Sequence, residues 1–348
     1  MLRSRLIDIY STMKRILLLA ACVIALVARA QYYQPDVLGN GFEQHTFEMP
    51  DDYHGRVVST LVRKLANDSS HSAVLYVHGY NDYFFQEEMA QRFNDWGLNF
   101  YAVDLRKYGR SLLPEQWEYE VRNMSEYFLD IDSALSVVRR EGNTRVILMG
   151  HSTGGLTTSL YCNAHRDSIP VDALILNSPF FEWNYNALFR NVLIPAVAFI
   201  GKFFPDAGLP DARTVSAYAM SLLKSYHGEW DFDTNWKRSM ARGERFGWIR
   251  AIDKGHDVIH NMTDLPCPVL LMHSDKTVKA SEWTPDYQRG DAVLDVEHIA
   301  RYGTKIGRQV TEVTIVDGLH DLVLSRHDVR DEAYQAMYNW LSEQQLLP

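Results

Sequence analysis

Short runs of apolar, often β-branched residues alternate along this chain with stretches in which apolar positions recur every three or four residues. The first pattern suits strands buried on both faces of a sheet, and the second suits helices with one apolar side. Strands are expected at Arg56–Lys64, Ser72–Val77, Phe100–Val103, Arg145–Met149, Ala173–Leu176, Val269–Met272 and Val313–Val316. The spacing predicts a helix over Gln86–Trp96, with Met89, Phe93 and Trp96 on one face. A second is expected over Ser125–Arg140, where Phe128, Ile131, Leu135 and Val138 repeat at helical intervals. Leu156–Ala164, Val296–Tyr302 and Asp328–Leu341 complete the helical set. Strand and helix in alternation predict the α/β class, a mostly parallel sheet with helices on both faces.

From about residue 180 to 263 the alternation stops. No sheet strand is expected there, and aromatic residues are dense, among them Trp183, Tyr185, Phe203, Phe204, Phe232 and Trp248. A helical insertion between two central strands lies above their C-terminal ends and forms a cap over a pocket. Most of these aromatics are expected to pack the cap onto the body, and a few to line the pocket.

The amino-terminal pattern differs from both. Lys14 and Arg15 precede an apolar run from Ile16 to Val27, and Ala28-Arg29-Ala30 offers small residues at the two positions that a signal peptidase reads. Residues 1–30 are therefore expected to be a signal peptide, with Met13 as an alternative start, and residues 31–348 the mature domain, periplasmic or extracellular. The apolar run is shorter than the ~20 residues that span a bilayer. A lipoprotein cleaved before Cys22 is the minority alternative. Cleavage after Ala30 leaves Cys162 and Cys267, which are read as buried free thiols, with their pairing open.

With 46% hydrophobic and 23% charged residues the chain can bury a core. Its net charge of -9 argues against a nucleic-acid partner, which requires a basic surface. Neither a His/Asp/Glu/Cys cluster with metal-ligand spacing nor a glycine-rich nucleotide loop is present, so no metal and no cofactor are expected.

The candidate chemistry begins at Gly150-His151-Ser152-Thr153-Gly154, a G-x-S-x-G pattern between an apolar strand and a helix. A sharp strand-to-helix turn lifts the serine hydroxyl into a pocket at the helix N-terminus, so Ser152 is the expected nucleophile. His78-Gly79-Tyr80-Asn81 follows another strand. The backbone N–H groups of Tyr80 and Thr153 are the candidate oxyanion donors, with His78 a structural residue that hydrogen-bonds the loop. His320, just after the last strand, is the expected general base. Two acids follow Val269–Met272: Asp275 immediately, and Asp291 directly before the helix Val296–Tyr302. Either preserves the chain order serine, acid, histidine.

These residues resemble the α/β-hydrolases related to monoacylglycerol lipases and lysophospholipases, the serine aminopeptidase-like branch. The resemblance runs from about Ala73 to the C-terminus. Asp104-Leu105-Arg106-Lys107-Tyr108-Gly109-Arg110-Ser111 is similar to the family's D-x-R-G-x-G-x-S, with Lys107 in place of a glycine. Gly150-His151-Ser152-Thr153-Gly154-Gly155 is similar to its G-H-S-M-G-G. Asp291-Ala292-Val293-Leu294-Asp295 matches its acid segment, which favours Asp291 over Asp275 and requires an insertion, Lys276–Gly290. Asp295 then caps the following helix. The resemblance implies an α/β-hydrolase fold and hydrolysis of carboxylic esters, lipase- or lysophospholipase-like, through an acyl-enzyme on Ser152. The expected partner is a small-molecule or lipid ester, with transient contact at a membrane surface. A serine peptidase or an acyltransferase would use the same triad, and a non-catalytic binding protein on this fold is the alternative from another class.

Overall fold

The computed structural model describes Lys14, residues 33–67 and residues 69–348. The expected signal segment, with Cys22 and Ala30, lies outside the described residues apart from Lys14, as does Gln31, the expected first residue of the mature chain. The chain divides into two compact units, residues 1–45 and 46–348. In the first, β1 (Gln34–Pro35) pairs antiparallel with the start of β2 (Glu43–Asp52).

The second unit holds the remainder of β2 and the strands β3 (Gly55–Lys64), β4 (Ser72–Val77), β5 (Asn99–Asp104), β6 (Arg145–His151), β7 (Ala173–Asn177), β8 (Val269–Ser274) and β9 (Val310–Ile315). They lie in the order β2-β3-β5-β4-β6-β7-β8-β9. The pairs β5–β4, β4–β6, β6–β7, β7–β8 and β8–β9 are parallel, and β3–β5 is antiparallel. Every residue of β4, β5, β7 and β8 is buried, which is why these segments read as unbroken apolar runs. The helices are α1 (Glu87–Asp95), α2 (Phe128–Arg140), α3 (Thr153–Ala164), α4 (Ile194–Gly201), α5 (Ala217–Leu222), α6 (Phe246–His260), α7 (Val296–Gly303) and α8 (His327–Glu343).

The differences from expectation fall at the sheet margins. β2 was not anticipated, because Glu43-Gln44-His45-Thr46-Phe47-Glu48 is polar and mostly solvent-facing. β9 begins at Val310 rather than Val313 and ends before Val316, which is exposed in a turn. Thr311 and Glu312 of this outermost strand are also exposed, so no buried face marks its start.

Within residues 180–263 no strand joins the sheet. α6 lies inside that stretch, yet it packs against body helix α3: a side chain at Gly255 would meet Leu160 Cδ1 at 3.1 Å. Its amino-terminal end crosses α4, where the Gly201 Cα comes so close to Phe246 that a Cβ would fall 2.2 Å from the Phe246 carbonyl oxygen. One helix therefore ties cap to body.

The segment after β5 has an unusual backbone at Lys107, the position that holds a glycine in the D-x-R-G-x-G-x-S pattern it resembles. Lys107 has φ 64°, a left-handed conformation that L-residues disfavour. The lysine places its ammonium, fully buried, 2.6 Å from Asp52 and 3.3 Å from Glu120. Asp104, also buried, accepts the Phe84 N–H at 2.9 Å and pairs with Arg110 at 2.9 Å, so the loops after β4 and β5 share one carboxylate.

His256 of α6 is buried against Phe180 and Trp183, and its Nε2–H donates to the Phe180 carbonyl at 2.9 Å. Burial pushes its pKa down to about 3, the Phe180 hydrogen bond working upward and His260 downward. The unfolded chain takes up a proton near pH 6.5 that the folded chain refuses. This contribution to stability is complete above pH ~6.5 and is lost as the pH falls toward 3, by up to ~1.4 kcal/mol per pH unit. Equilibrium unfolding between pH 7 and 4.5 should show that decline. His256→Gln, whose amide can still donate to Phe180 but does not titrate, should flatten it, and an unchanged slope would assign the acid sensitivity to other groups.

Candidate active site

The turn between β6 and α3 is the tightest packing in the site. Ser152 sits there at φ 53°, ψ −118°, a conformation that non-glycine residues adopt only when the surroundings impose it. Those surroundings are glycines. A Cβ on Gly150 would lie 2.5 Å from the Gly154 carbonyl oxygen, and one on Gly154 would lie 2.2 Å from the Val77 carbonyl oxygen. α3 can thus press against both β6 and the end of β4. Ser152 N–H donates to the Asn177 carbonyl at 3.0 Å and its carbonyl accepts from Phe180 at 2.9 Å, fastening the turn to the exit of β7.

His320 follows β9 and reaches the serine: Nε2 is 2.9 Å from Ser152 Oγ. Its Nδ1 is 2.8 Å from Asp291 Oδ2. Since a carboxylate only accepts, the Nδ1 proton points at Asp291 and Nε2 is left to accept from the serine hydroxyl. Asp291 is fully buried, and its other oxygen accepts the N–H groups of Val293 at 2.8 Å and Leu294 at 2.7 Å. Each oxygen therefore has its own partners, which fixes the rotation of the carboxylate.

Asp291 lies far along the chain from the end of β8 yet arrives beside it. The insertion Lys276–Gly290 leaves and returns through a narrow neck, in which Asp291 N–H donates to the Lys276 carbonyl at 2.9 Å and Val278 N–H to the Asp291 carbonyl at 2.8 Å. Asp275, the alternative acid, does not reach His320. It is part-exposed, and its Oδ1 accepts the Asp317 N–H at 2.8 Å, pinning the loop after β9. Asp295 accepts the Glu297 N–H at 3.1 Å and caps α7.

The loop after β4 runs across Ser152. A Cβ on Gly79 would meet Ser152 Cβ at 3.0 Å, and Tyr80 follows directly. Among the described residues, the backbone N–H groups of Tyr80 and Thr153 donate to no other group. His78 turns away: its Nδ1–H donates to the Gly79 carbonyl at 2.8 Å and its Nε2 accepts from Leu105 N–H at 3.1 Å.

Two features could not be read from the sequence. The first is the set of amides behind His320. Asp321, fully buried, accepts from Asn177 Nδ2 at 2.7 Å and Gln86 Nε2 at 3.3 Å, while Asn177 Oδ1 accepts the Leu322 N–H at 3.2 Å. The second is an ion pair between Asp82 and the cap residue Lys237, at 2.7 Å. Burial works against ionising Asp82, but Lys237, with His78 and His151 behind it, holds the carboxyl below its usual range. No local motif marks these partners, which are up to 235 residues apart.

Body and cap enclose a cavity of ≈ 170 Å³ at Ser152 and His320. Ala219, Leu222, Phe232 and Val293 give it an apolar side, and Asn81, Lys237, Arg238 and Ser216 a polar one. Of the cap aromatics, Tyr218 and Phe232 line it, whereas Trp183 and Trp248 pack on Phe180 and Tyr80. Cys162 and Cys267 are free and buried.

A mostly parallel sheet flanked by helices, with a serine at a glycine-framed turn after the central strand, defines an α/β-hydrolase. The sequence profile described as Serine aminopeptidase, S33 matches residues 68–281, and the chain belongs to that family. It is similar to the monoacylglycerol lipase of Mycolicibacterium smegmatis, with 27% identity over 214 residues, 58% of this chain and 69% of that protein. Among solved structures it resembles a soluble variant of monoglyceride lipase from Saccharomyces cerevisiae bound to a substrate analog, with TM-score 0.62, 13% identity and coverage of 86% and 96%. It also resembles Est1E from Butyrivibrio proteoclasticus with ferulic acid bound, with TM-score 0.54, 18% identity and coverage of 85% and 98%.

The geometry separates the two acids experimentally. Asp291→Asn should lower kcat ~10⁴-fold with the fold retained, because the amide cannot hold the reactive histidine tautomer. Asp275→Asn should leave kcat within about threefold, the spread of ordinary substitutions away from the reacting groups. Steady-state kinetics on one ester checks both, and the reverse ranking would sink the assignment.

Proposed function

We propose that this protein is a serine hydrolase of carboxylic acyl esters that works through an acyl-enzyme on Ser152. The observation that carries the reading is the continuous chain from Asp291 through His320 to the Ser152 hydroxyl, at 2.8 and 2.9 Å. His320 Nε2 takes the serine proton as Ser152 Oγ attacks the ester carbonyl carbon. The N–H groups of Tyr80 and Thr153 stabilise the negative oxygen that results. The tetrahedral adduct collapses, the imidazolium returns its proton to the leaving alkoxide, and the alcohol departs. Water, deprotonated by His320, then attacks the acyl-enzyme; the carboxylic acid leaves and the proton returns to Ser152. Asp291 holds the imidazole tautomer throughout and stabilises its charged form.

Ester hydrolysis, rather than peptidase or acyl-transfer chemistry, is supported by the resemblance to monoacylglycerol lipases. The cavity has room for a small group, since a space of about 150 Å³ holds a benzene ring. Short acyl esters are therefore the expected substrates with the cap as it stands.

A lipid surface is the proposed source of these esters. Tyr185, Leu188, Phe189, Val192, Leu193, Phe199, Ile200, Phe203 and Phe204 are each at least 41% exposed. Residues 185–204 contain Arg190 and Lys202 and no Asp or Glu, in a chain of net charge -9. An apolar face with basic and no acidic side chains suits an interface with anionic headgroups. Among the described residues no helix is long and apolar enough to cross a membrane. Export is supported by the basic residues, apolar run and Ala-x-Ala of residues 14–30. Intact-mass measurement of the mature chain should give Gln31 as its first residue, and a lipidated Cys22 or an uncleaved leader would overturn that.

One panel of assays tests the catalytic and interfacial readings together. Wild type should hydrolyse p-nitrophenyl butyrate faster than the palmitate, and Ser152→Ala should lose at least ~10³-fold on every ester. Replacing Phe199, Phe203 and Phe204 together by serine should lower turnover of emulsified tributyrin about tenfold and leave soluble p-nitrophenyl butyrate within about twofold. Activity surviving in Ser152→Ala rejects the mechanism, and equal losses on both substrates reject the surface.

A further inference from the structure

Four consecutive residues that follow the β4 strand, Tyr80 to Tyr83, each bond to a single stretch of the cap, residues 233–242. Tyr80 OH donates to the Arg242 carbonyl at 3.3 Å. Asn81 makes a reciprocal pair with the Arg238 backbone: its Nδ2 donates to the carbonyl at 2.8 Å, and its Oδ1 accepts the N–H at 2.8 Å. Asp82 holds Lys237 Nζ at 2.7 Å, and Tyr83 OH accepts the Asp233 N–H at 2.8 Å. Glu118 of the body fastens the same stretch, pairing with Arg238 Nε at 3.0 Å and Arg242 at 2.6 Å.

Asn81 is the centre of this clasp. It has φ 49°, a left-handed conformation, immediately after Tyr80, the candidate oxyanion donor. Tyr119 OH donates a further hydrogen bond to Asn81 Oδ1 at 2.6 Å. The Asn81 amide therefore decides how the chain turns as it leaves Tyr80, and its partners are backbone groups of the cap. The Tyr80 N–H lies in the peptide plane set by ψ of Gly79 and φ of Tyr80, and Tyr80 is held between Gly79, packed against Ser152, and Asn81, bonded to the cap, so the cap anchors the carboxyl side of the residue that carries this N–H.

From this geometry we propose that cap segment 233–242 is a working part of the oxyanion hole. Asn81 acts as a positioning residue that orients the Tyr80 N–H only while the cap is docked. Docking of this side of the cap and arming of the oxyanion hole are then one event. Lys237 and Arg238, which line the cavity, make the same stretch sensitive to what occupies it. This proposal rests on the serine-hydrolase reading above.

The test uses the full chain on p-nitrophenyl butyrate, with Ser152→Ala as the control for that reading. Asn81→Gly removes the side chain but tolerates the left-handed backbone. It should lower kcat about 10- to 100-fold, the range for a displaced rather than deleted oxyanion donor, with KM within about threefold. Affinity for butylboronic acid, whose adduct with Ser152 places a negative oxygen in the hole, should fall by the same factor. Tyr83→Phe loses a more distant stitch of the clasp and should move both readouts in the same direction by a smaller factor. If either variant is folded and its kcat and boronate affinity stay within about twofold of wild type while only Tm drops, the clasp merely packs the cap and the proposal fails. A change confined to KM overturns it as well. Activity retained by Ser152→Ala would instead reject the underlying mechanism.

Discussion

Everything in the site depends on one steric constraint, the close crossing of α3 over β6 and β4 at Ser152. The crossing exists because Gly150 and Gly154 carry no Cβ, and any side chain there would overlap backbone oxygen atoms. It forces Ser152 to φ 53°, and the cost of that conformation, of order 1–3 kcal/mol, is offset by the packing of the strands and helix around it. The same crossing puts the first turn of α3, with the Thr153 N–H, beside the serine and brings Gly79 against its Cβ. Relaxing the turn would therefore lose the orientation of Ser152 and the placement of the neighbouring Thr153 N–H and Gly79 backbone together.

His320 and Asp291 arrive on loops, and each loop is tied by buried polar groups rather than by apolar packing. Asn177, at the end of β7, holds both the Ser152 turn through its carbonyl and the His320 loop through its amide. One residue thus sets the relative position of Ser152 and His320. The acid loop is closed at its neck by the Lys276–Asp291 and Asp291–Val278 backbone bonds, so the length of the Lys276–Gly290 excursion does not displace Asp291. Such networks are demanding, since a buried carboxylate with an unfilled oxygen is costly, and Asp291 meets that demand with three donors.

Much of the fold was legible because central strands buried on both faces must be apolar throughout. Ser72–Val77 was recovered with its observed bounds, and Arg145–Met149 and Val269–Met272 fell within theirs. The polar β2 and the outermost β9 were missed or misplaced, since a strand with solvent on one side and few apolar residues leaves a weak pattern. The cap was visible as an interruption, but α6 was not seen to be shared between cap and body, because its apolar stripe does not say which neighbour it packs against.

By itself the sequence determined the α/β class, the serine at the glycine-framed turn and the histidine after the last strand, because each is written in consecutive residues with local steric rules. Only the tertiary structure shows which of Asp275 and Asp291 contacts His320. Both follow β8, and the one that reaches His320 is chosen by the path of an insertion whose neck is closed by long-range backbone hydrogen bonds. The Asp82–Lys237 pair and the Asn81–Arg238 clasp were equally hidden, being contacts between segments about 155 residues apart. Local pattern carries no information about such contacts, because their partners meet only when the cap folds back over the ends of the strands.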